Sequence, residues 1–218
     1  MDIKVSICIP AYKQVDLLRK TLQSVIEQSF KNFEIILSDD TPDDSVKLLV
    51  SEFDFEGRLN YFKNNPSLGT PGNWNHSIRK AKGEYIKILH HDDFFTSSES
   101  LGKFVKLLDD APESDFGFSA TTVWRLSTNE KWKYYITDKQ AERLRNEPEF
   151  LFFGNWIGAP SAVIYRRSVM EEYDPELKWL VDTDLYIRIL RKNPLFAKTN
   201  EELVCTADGA IGQVTQEV

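Results

Sequence analysis

A single α/β domain, with a mostly parallel central sheet flanked by helices, is the fold this sequence predicts. Three observations carry the prediction. Apolar strand-like runs alternate with segments of helical periodicity through the first half, which implies right-handed crossovers and a sheet covered on both faces. Those runs end in acidic pairs, where ligands bind in open parallel sheets. The 218 residues hold no internal repeat, low-complexity tract or linker, and that length buries a sizeable core without staples.

The elements follow in order. Val5 to Pro10 reads as a first strand, stopped by Pro10. A helix capped by Asp16 runs to Gln28, with Leu17, Leu18, Leu22, Val25 and Ile26 at helical spacing. Phe33 to Leu37 is a second strand. Thr41 to Ser45 is a turn, and Val46, Leu49, Val50 and Phe53 line a second helix. Leu59 to Phe62 is a short third strand. A loop rich in turn formers runs from Asn64 to Gly72. Trp74 to Lys82 is a third helix and Tyr85 to Leu89 a buried fourth strand. Beyond Asp93 the alternation changes. Leu101, Phe104, Val105 and Leu108 mark a helix, and Phe116 to Val123 and Ser161 to Tyr165 are strands. An aromatic and basic stretch, Trp124 to Phe153, lies between them, and a helix follows from Asp182 through Arg191.

Composition excludes several classes. Charged residues are 28 % and hydrophobic residues 41 %, an ordinary soluble balance. A net charge of −7 argues against a nucleic-acid binder. Cys8 and Cys205 both sit in apolar strands, so they read as buried free thiols in a reducing compartment. No basic-then-apolar leader precedes Val5, and no apolar run approaches the ~20 residues of a membrane span. The expected location is cytoplasmic, compatible with peripheral attachment at the inner face of a membrane.

Three acidic clusters stand at element ends: Asp39-Asp40, Asp92-Asp93 and Asp182-Thr183-Asp184. Paired carboxylates at a strand end suit a hard divalent cation, which in turn suits a diphosphate. Turn chemistry and helix capping are the plainer readings of the same residues. Taken together, the three clusters read as a nucleotide-sugar site.

The ordered motifs resemble family-two glycosyltransferases over nearly the whole chain. The resemblance is carried by Val5-Ser-Ile-Cys-Ile-Pro-Ala-Tyr12, Leu22 to Phe30, Phe33 to Asp40, Gly83-Glu-Tyr-Ile with Asp92-Asp93, Trp156-Ile-Gly-Ala-Pro-Ser161, and Val181 to Arg188. It implies a GT-A fold with a Rossmann-like sheet and inverting chemistry. Residues 1 to about 95 would form a nucleotide half and about 96 to 218 an acceptor half of one domain. Asp40, with Asp39 beside it, would meet the base. Tyr12 would flank that base, and backbone groups of Pro10 and Ala11 would line its pocket. Asp92 would meet the ribose and Asp93 a divalent metal, Mn²⁺ or Mg²⁺. Asn75 lies in the helix region that lines the nucleotide-sugar pocket. Asp182 would be the catalytic base, with Asp184 the alternative. His91, Asp208 and Gln213 are further site candidates, and Trp124, Trp132, Trp156 and Trp179 candidate sugar-stacking residues. Two departures stand out: His90 occupies an often acidic position, and Val181 stands where a Glu usually precedes the base. The implied donor is a nucleotide diphosphate sugar, by default UDP-linked, and the implied acceptor a glycan or lipid-linked sugar. The alternatives are a non-catalytic nucleotide-sugar or glycan-binding protein, and a sugar-phosphate nucleotidyltransferase. The latter needs a Gly-rich, Arg-bearing loop after the first strand, and Ala11 to Gln14 supplies none.

Overall fold

The computed structural model describes residues 2–210. The first half winds as expected: β1 (Val5–Ala11), α1 (Val15–Ile26), β2 (Phe33–Asp39), α2 (Ser45–Val50), β3 (Leu59–Lys63), α3 (Gly72–Lys80) and β4 (Tyr85–Ile88). The second half adds β5 (Phe94–Phe95), α4 (Ser100–Asp109), β6 (Phe116–Arg125), β7 (Lys131–Tyr134), α5 (Asp138–Asn146), β8 (Val163–Arg166), α6 (Val181–Lys192) and β9 (Phe196–Asp208). One sheet runs through both halves in the order β3-β2-β1-β4-β8-β6-β9-β5, with β7 paired to β6. The strands β3, β2, β1 and β4 are mutually parallel; β8 then runs antiparallel to β4 and β6, and β9 lies parallel to β6.

Every residue of β1 and β2 is buried, as a sheet covered on both faces demands. Pleating sends Val5, Ile7 and Ile9 into one core with Leu18 and Leu22 of α1, Leu49 of α2 and Phe104 of α4. Cys8, Ile86 and Ile88 face a second core with Ile78 of α3 and Leu185, Tyr186 and Ile189 of α6. Both cysteines are buried and free.

Two junctions fix the geometry that the site inherits. Gly83 packs against β1 so closely that a Cβ there would lie 2.5 Å from the Ser6 nitrogen and 2.7 Å from the Val5 carbonyl carbon. Its N–H donates to Ser6 Oγ at 2.8 Å. After β1 the chain turns through Lys13 and Gln14, both left-handed, and Gln14 rather than Asp16 is the N-cap of α1. Asp16 lies in the first turn instead, where it complements the helix dipole.

Candidate active site

β1 is the point where strand order reverses: β2 pairs with one edge and β4 with the other. The crevice beyond the carboxyl ends of these strands is therefore where a ligand fits. Pro10 and Ala11 close β1, and Tyr12 follows at 41 % exposure with the Lys13 ammonium 4.8 Å above its ring. An exposed aromatic at this position offers a stacking face.

The strand-end carboxylates of β2 are both committed within the chain. Asp39 is fully buried; it accepts from Thr41 N at 2.8 Å, the Tyr61 hydroxyl at 2.7 Å and Lys63 Nζ at 3.1 Å. Asp40 accepts from Asn64 Nδ2 at 2.8 Å and Gly69 N at 2.7 Å, and from Leu68 N at 3.1 Å to each oxygen. It thus folds the loop after β3 onto the crevice, where the resemblance had implied a contact to a base. Asn75 is also bonded within the chain. Its amide donates to the Tyr173 carbonyl and accepts from the Tyr173 N–H, both at 2.8 Å. The pair splices α3 to the 170s segment and leaves one N–H and one oxygen lone pair of the amide. Its neighbour Trp74 does face the site, 4.5 Å from the His90 ring and 5.0 Å from that of Tyr173.

The turn after β4 gathers donors. His90, Asp92 and Asp93 each offer a ligand atom, all within 4.8 Å of one another. Asp92 and Asp93 are 5 % and 3 % exposed. The buried Nε2 of His90 has no hydrogen-bond partner. An orphaned imidazole nitrogen beside two buried carboxylates is a donor set that fits a divalent cation. Of the two histidines it is His90 that joins the carboxylates; His91 turns Nδ1 to the Pro10 carbonyl at 3.1 Å. Burial holds Asp93 well above the usual carboxylate range, and the Asp92 charge adds to this, while Ser161, the Ala207 N–H and Lys87 pull the other way. Burial also depresses His90 to about 4, so the ring is a neutral ligand at ordinary pH.

Asp182 opens α6, behind Leu180 at φ 57°. A bulky residue in the left-handed region marks a constrained turn. Asp182 accepts from Thr183 N through Oδ1 and from Asn155 Nδ2 through Oδ2, each at 2.8 Å. Asn155 also donates to the Gly158 carbonyl and accepts from the Gly158 N–H, both at 3.0 Å. Gly158 stands at φ +101°, which side-chain-bearing residues rarely adopt. Three residues on, the fully buried Ser161 accepts from His90 N through its hydroxyl at 3.0 Å. One short segment, 155–161, thus holds Asp182 at one end and the turn that carries His90, Asp92 and Asp93 at the other. Asp184 is not in this cluster; it is paired with Arg188 at 2.8 Å, and Arg188 also binds Glu171. Burial raises Asp182 above the ordinary carboxylate value.

Asp208 forms a half-exposed ion pair with Arg125 at 3.0 Å, and it is Ala207, one residue earlier, whose N–H reaches Asp93 at 3.0 Å. Gln213 lies outside the described residues. Asn155, Ser161 and Lys87 were not singled out from the sequence. Asn155 stands one residue before the recognised Trp156 motif, and its hydrogen bonds to Gly158 and Asp182 become visible only in the structure.

Residues 6–174 match the model for glycosyl transferase family 2. The chain belongs to that family. A Campylobacter jejuni protein named GalNAc(5)-diNAcBac-PP-undecaprenol beta-1,3-glucosyltransferase is 37 % identical over 92 residues, 41 % of this chain and 30 % of that one. The chain spans less than two thirds of the length of the leading curated relatives. Among solved structures, S. aureus TarS 1-349 with UDP-GlcNAc superposes with a TM-score of 0.76 at 17 % identity, covering 97 % of this chain and 60 % of that fragment. The mannosyltransferase PcManGT from Pyrobaculum calidifontis, solved with GDP-Man and Mn²⁺, gives 0.66 at 15 % identity, covering 98 % of this chain and 59 % of that one. At these identities the two structures establish the fold, the GT-A arrangement of one mixed sheet.

Proposed function

We propose that this family 2 domain transfers a sugar, with inversion, from a nucleotide diphosphate sugar to an acceptor hydroxyl. The observation that carries the reading is the 155–161 segment, which bonds the buried Asp182 carboxylate at one end and the turn bearing His90, Asp92 and Asp93 at the other. Asp182 is the general base. It takes the proton from the acceptor hydroxyl as that oxygen bonds to the anomeric carbon and the nucleotide diphosphate departs from the opposite face. A raised pKa strengthens the base, and Asn155 fixes which oxygen is turned toward the acceptor. Asp93, with Asp92 and His90 beside it, would hold Mn²⁺ or Mg²⁺, which when bound neutralises charge on the leaving diphosphate. Asp92 also faces the ribose. Tyr12 flanks the base, the Pro10 and Ala11 backbone lines its edge, and Asp40 closes the pocket through the Asn64–Gly69 loop.

The donor reading is UDP-linked, supported by the UDP-GlcNAc bound in the TarS structure. The acceptor reading is a lipid-linked sugar, supported by the polyprenol-linked acceptor in the name of the Campylobacter relative. No helix among the described residues is long and apolar enough to cross a membrane. Work at the cytoplasmic face of a membrane is part of the reading and rests on the lipid-linked acceptor alone.

Asp182→Asn tests the reading. The substitution is nearly isosteric, and its one remaining oxygen can still accept from Asn155 at the expense of the Thr183 N–H bond, so donor binding stays close to normal. Turnover should fall by roughly 10²–10⁴-fold, the usual contribution of a positioned base. Near wild-type turnover, or a product with the donor's anomeric configuration, would overturn it.

A further inference from the structure

Lys87 is an unusual residue for the centre of a sheet. It lies on β4, opposite Ile7 of β1, with 0 % exposure. Pleating turns Tyr85 and Leu89 into the core beneath α4, and Lys87 shares that face. Its ammonium stands 4.5 Å from the Phe104 ring and 5.8 Å from that of Phe95. An apolar side chain would pack there without the desolvation cost of a buried charge. The ammonium donates to the Ile88 carbonyl at 3.0 Å and to the Ser161 carbonyl. Among the described residues Lys87 forms no ion pair; burial lowers its pKa to about 7, and the Asp93 charge only partly offsets this.

The two bonds reach the turn that carries the donor set. Ile88 is the last residue of β4, two before His90. Ser161 uses its carbonyl for Lys87, and its hydroxyl accepts from His90 N at 3.0 Å. A path therefore runs from the ammonium through one serine to the backbone of the turn that carries His90, Asp92 and Asp93. Lys87 and Ser161 are both fully buried, where hydrogen bonds to charged groups are strong and their geometry is fixed.

We propose that Lys87 is a positioning residue for the metal site: it pins Ser161 under the turn after β4, and Ser161 in turn fixes the His90 backbone and so the placement of His90, Asp92 and Asp93. The proposal rests on the reading of Asp93 as a metal ligand and adds to it two residues that never touch the metal. The pair ties β4 to the 155–161 segment, so donor binding and placement of Asp182 share one support. Partners that orient metal ligands typically contribute 10–100-fold to metal affinity.

The test is calorimetric titration of Mn²⁺ in the presence of saturating UDP, on the wild type, Lys87→Met, Ser161→Ala and the double variant. Methionine keeps the length and apolar stem of lysine. Each single variant should weaken Mn²⁺ binding by about tenfold. The double variant should be no worse than the weaker single one, because both act along one path. UDP affinity measured in EDTA should not change, since the path ends at the turn that carries the metal ligands. Equal Mn²⁺ affinity in wild type and Lys87→Met overturns the proposal, as does equal loss of UDP affinity with and without metal, the mark of general loosening. If Lys87→Met does not fold by circular dichroism, Ser161→Ala decides alone, and unchanged Mn²⁺ affinity there overturns it. A wild type that binds no Mn²⁺ removes the metal reading itself and this proposal with it.

Discussion

Asp182 can take a proton only when ionised, and its surroundings make ionisation costly. Burial raises its pKa, while the Thr183 N–H and the Asn155 amide only partly restore the charged form. Turnover therefore falls as pH drops through a value above the ordinary carboxylate value of about 4. A pH profile of kcat on the donor-saturated enzyme should show an acid limb there, and the limb should vanish from the residual activity of Asp182→Asn. A limb at or below the usual value would mean that burial does not govern the base. Asn155→Ala leaves one Asp182 oxygen without its donor and should lower kcat by about tenfold, with less effect on donor KM. Equal effects on both would show a loop defect. The acidic positions were legible from the sequence because strand ends and helix starts are. Their partners were not. Whether Asp40 meets a base or the Asn64–Gly69 loop depends on where a loop 24 to 29 residues downstream folds back. The same applies to Asn75, whose partner Tyr173 is 98 residues away.

At the scale of elements, β4 approaches β1 closely because residue 83 has no side chain. In Gly83→Ala the new Cβ would meet backbone atoms of Val5 and Ser6, which cannot rotate away. Overpacking costs roughly 1–3 kcal/mol, and a backbone clash belongs at the upper end, about 3 kcal/mol. Chemical denaturation should show the midpoint falling while the slope stays constant. An unchanged midpoint would mean that the junction yields. The strands and helices up to β4 were readable because each is a short apolar run or a periodic stripe. α5 was missed although Thr137 and Gln140 form a complete capping box, since the surrounding aromatic and basic residues masked its stripe. β9 was noticed only around Cys205, because its first half is a continuous polar run, Lys198 to Glu202, along a partly exposed stretch. β7 is short and mostly exposed, so little periodicity remained to read.

At the scale of the molecule, alternation of strand and helix was enough to predict parallel winding about β1. It could not predict that β8 would enter antiparallel between β4 and β6, since that choice rests on non-local pairing. This insertion brings the 155–161 segment beside β4 and so joins the two ends of the site. A ligand that bridges those parts should stabilise the whole fold. Binding to the native state alone adds about 2.7 kcal/mol at a ligand concentration 100 times Kd. For a domain of this size that corresponds to a rise in Tm of roughly 5–10 °C. UDP with Mn²⁺ should therefore raise Tm by that order, and UDP with EDTA by clearly less, because the diphosphate then lacks the cation that would bridge it to the turn after β4. Asp93→Asn should bind UDP in EDTA about as well as the wild type and lose the increment that Mn²⁺ adds. A thermal-shift series over UDP, GDP and dTDP, each with Mn²⁺, Mg²⁺ or EDTA, reads all of this in one experiment. An equal shift with and without metal would place the diphosphate away from the turn after β4. A larger shift for GDP or dTDP than for UDP would keep the metal site and replace the donor.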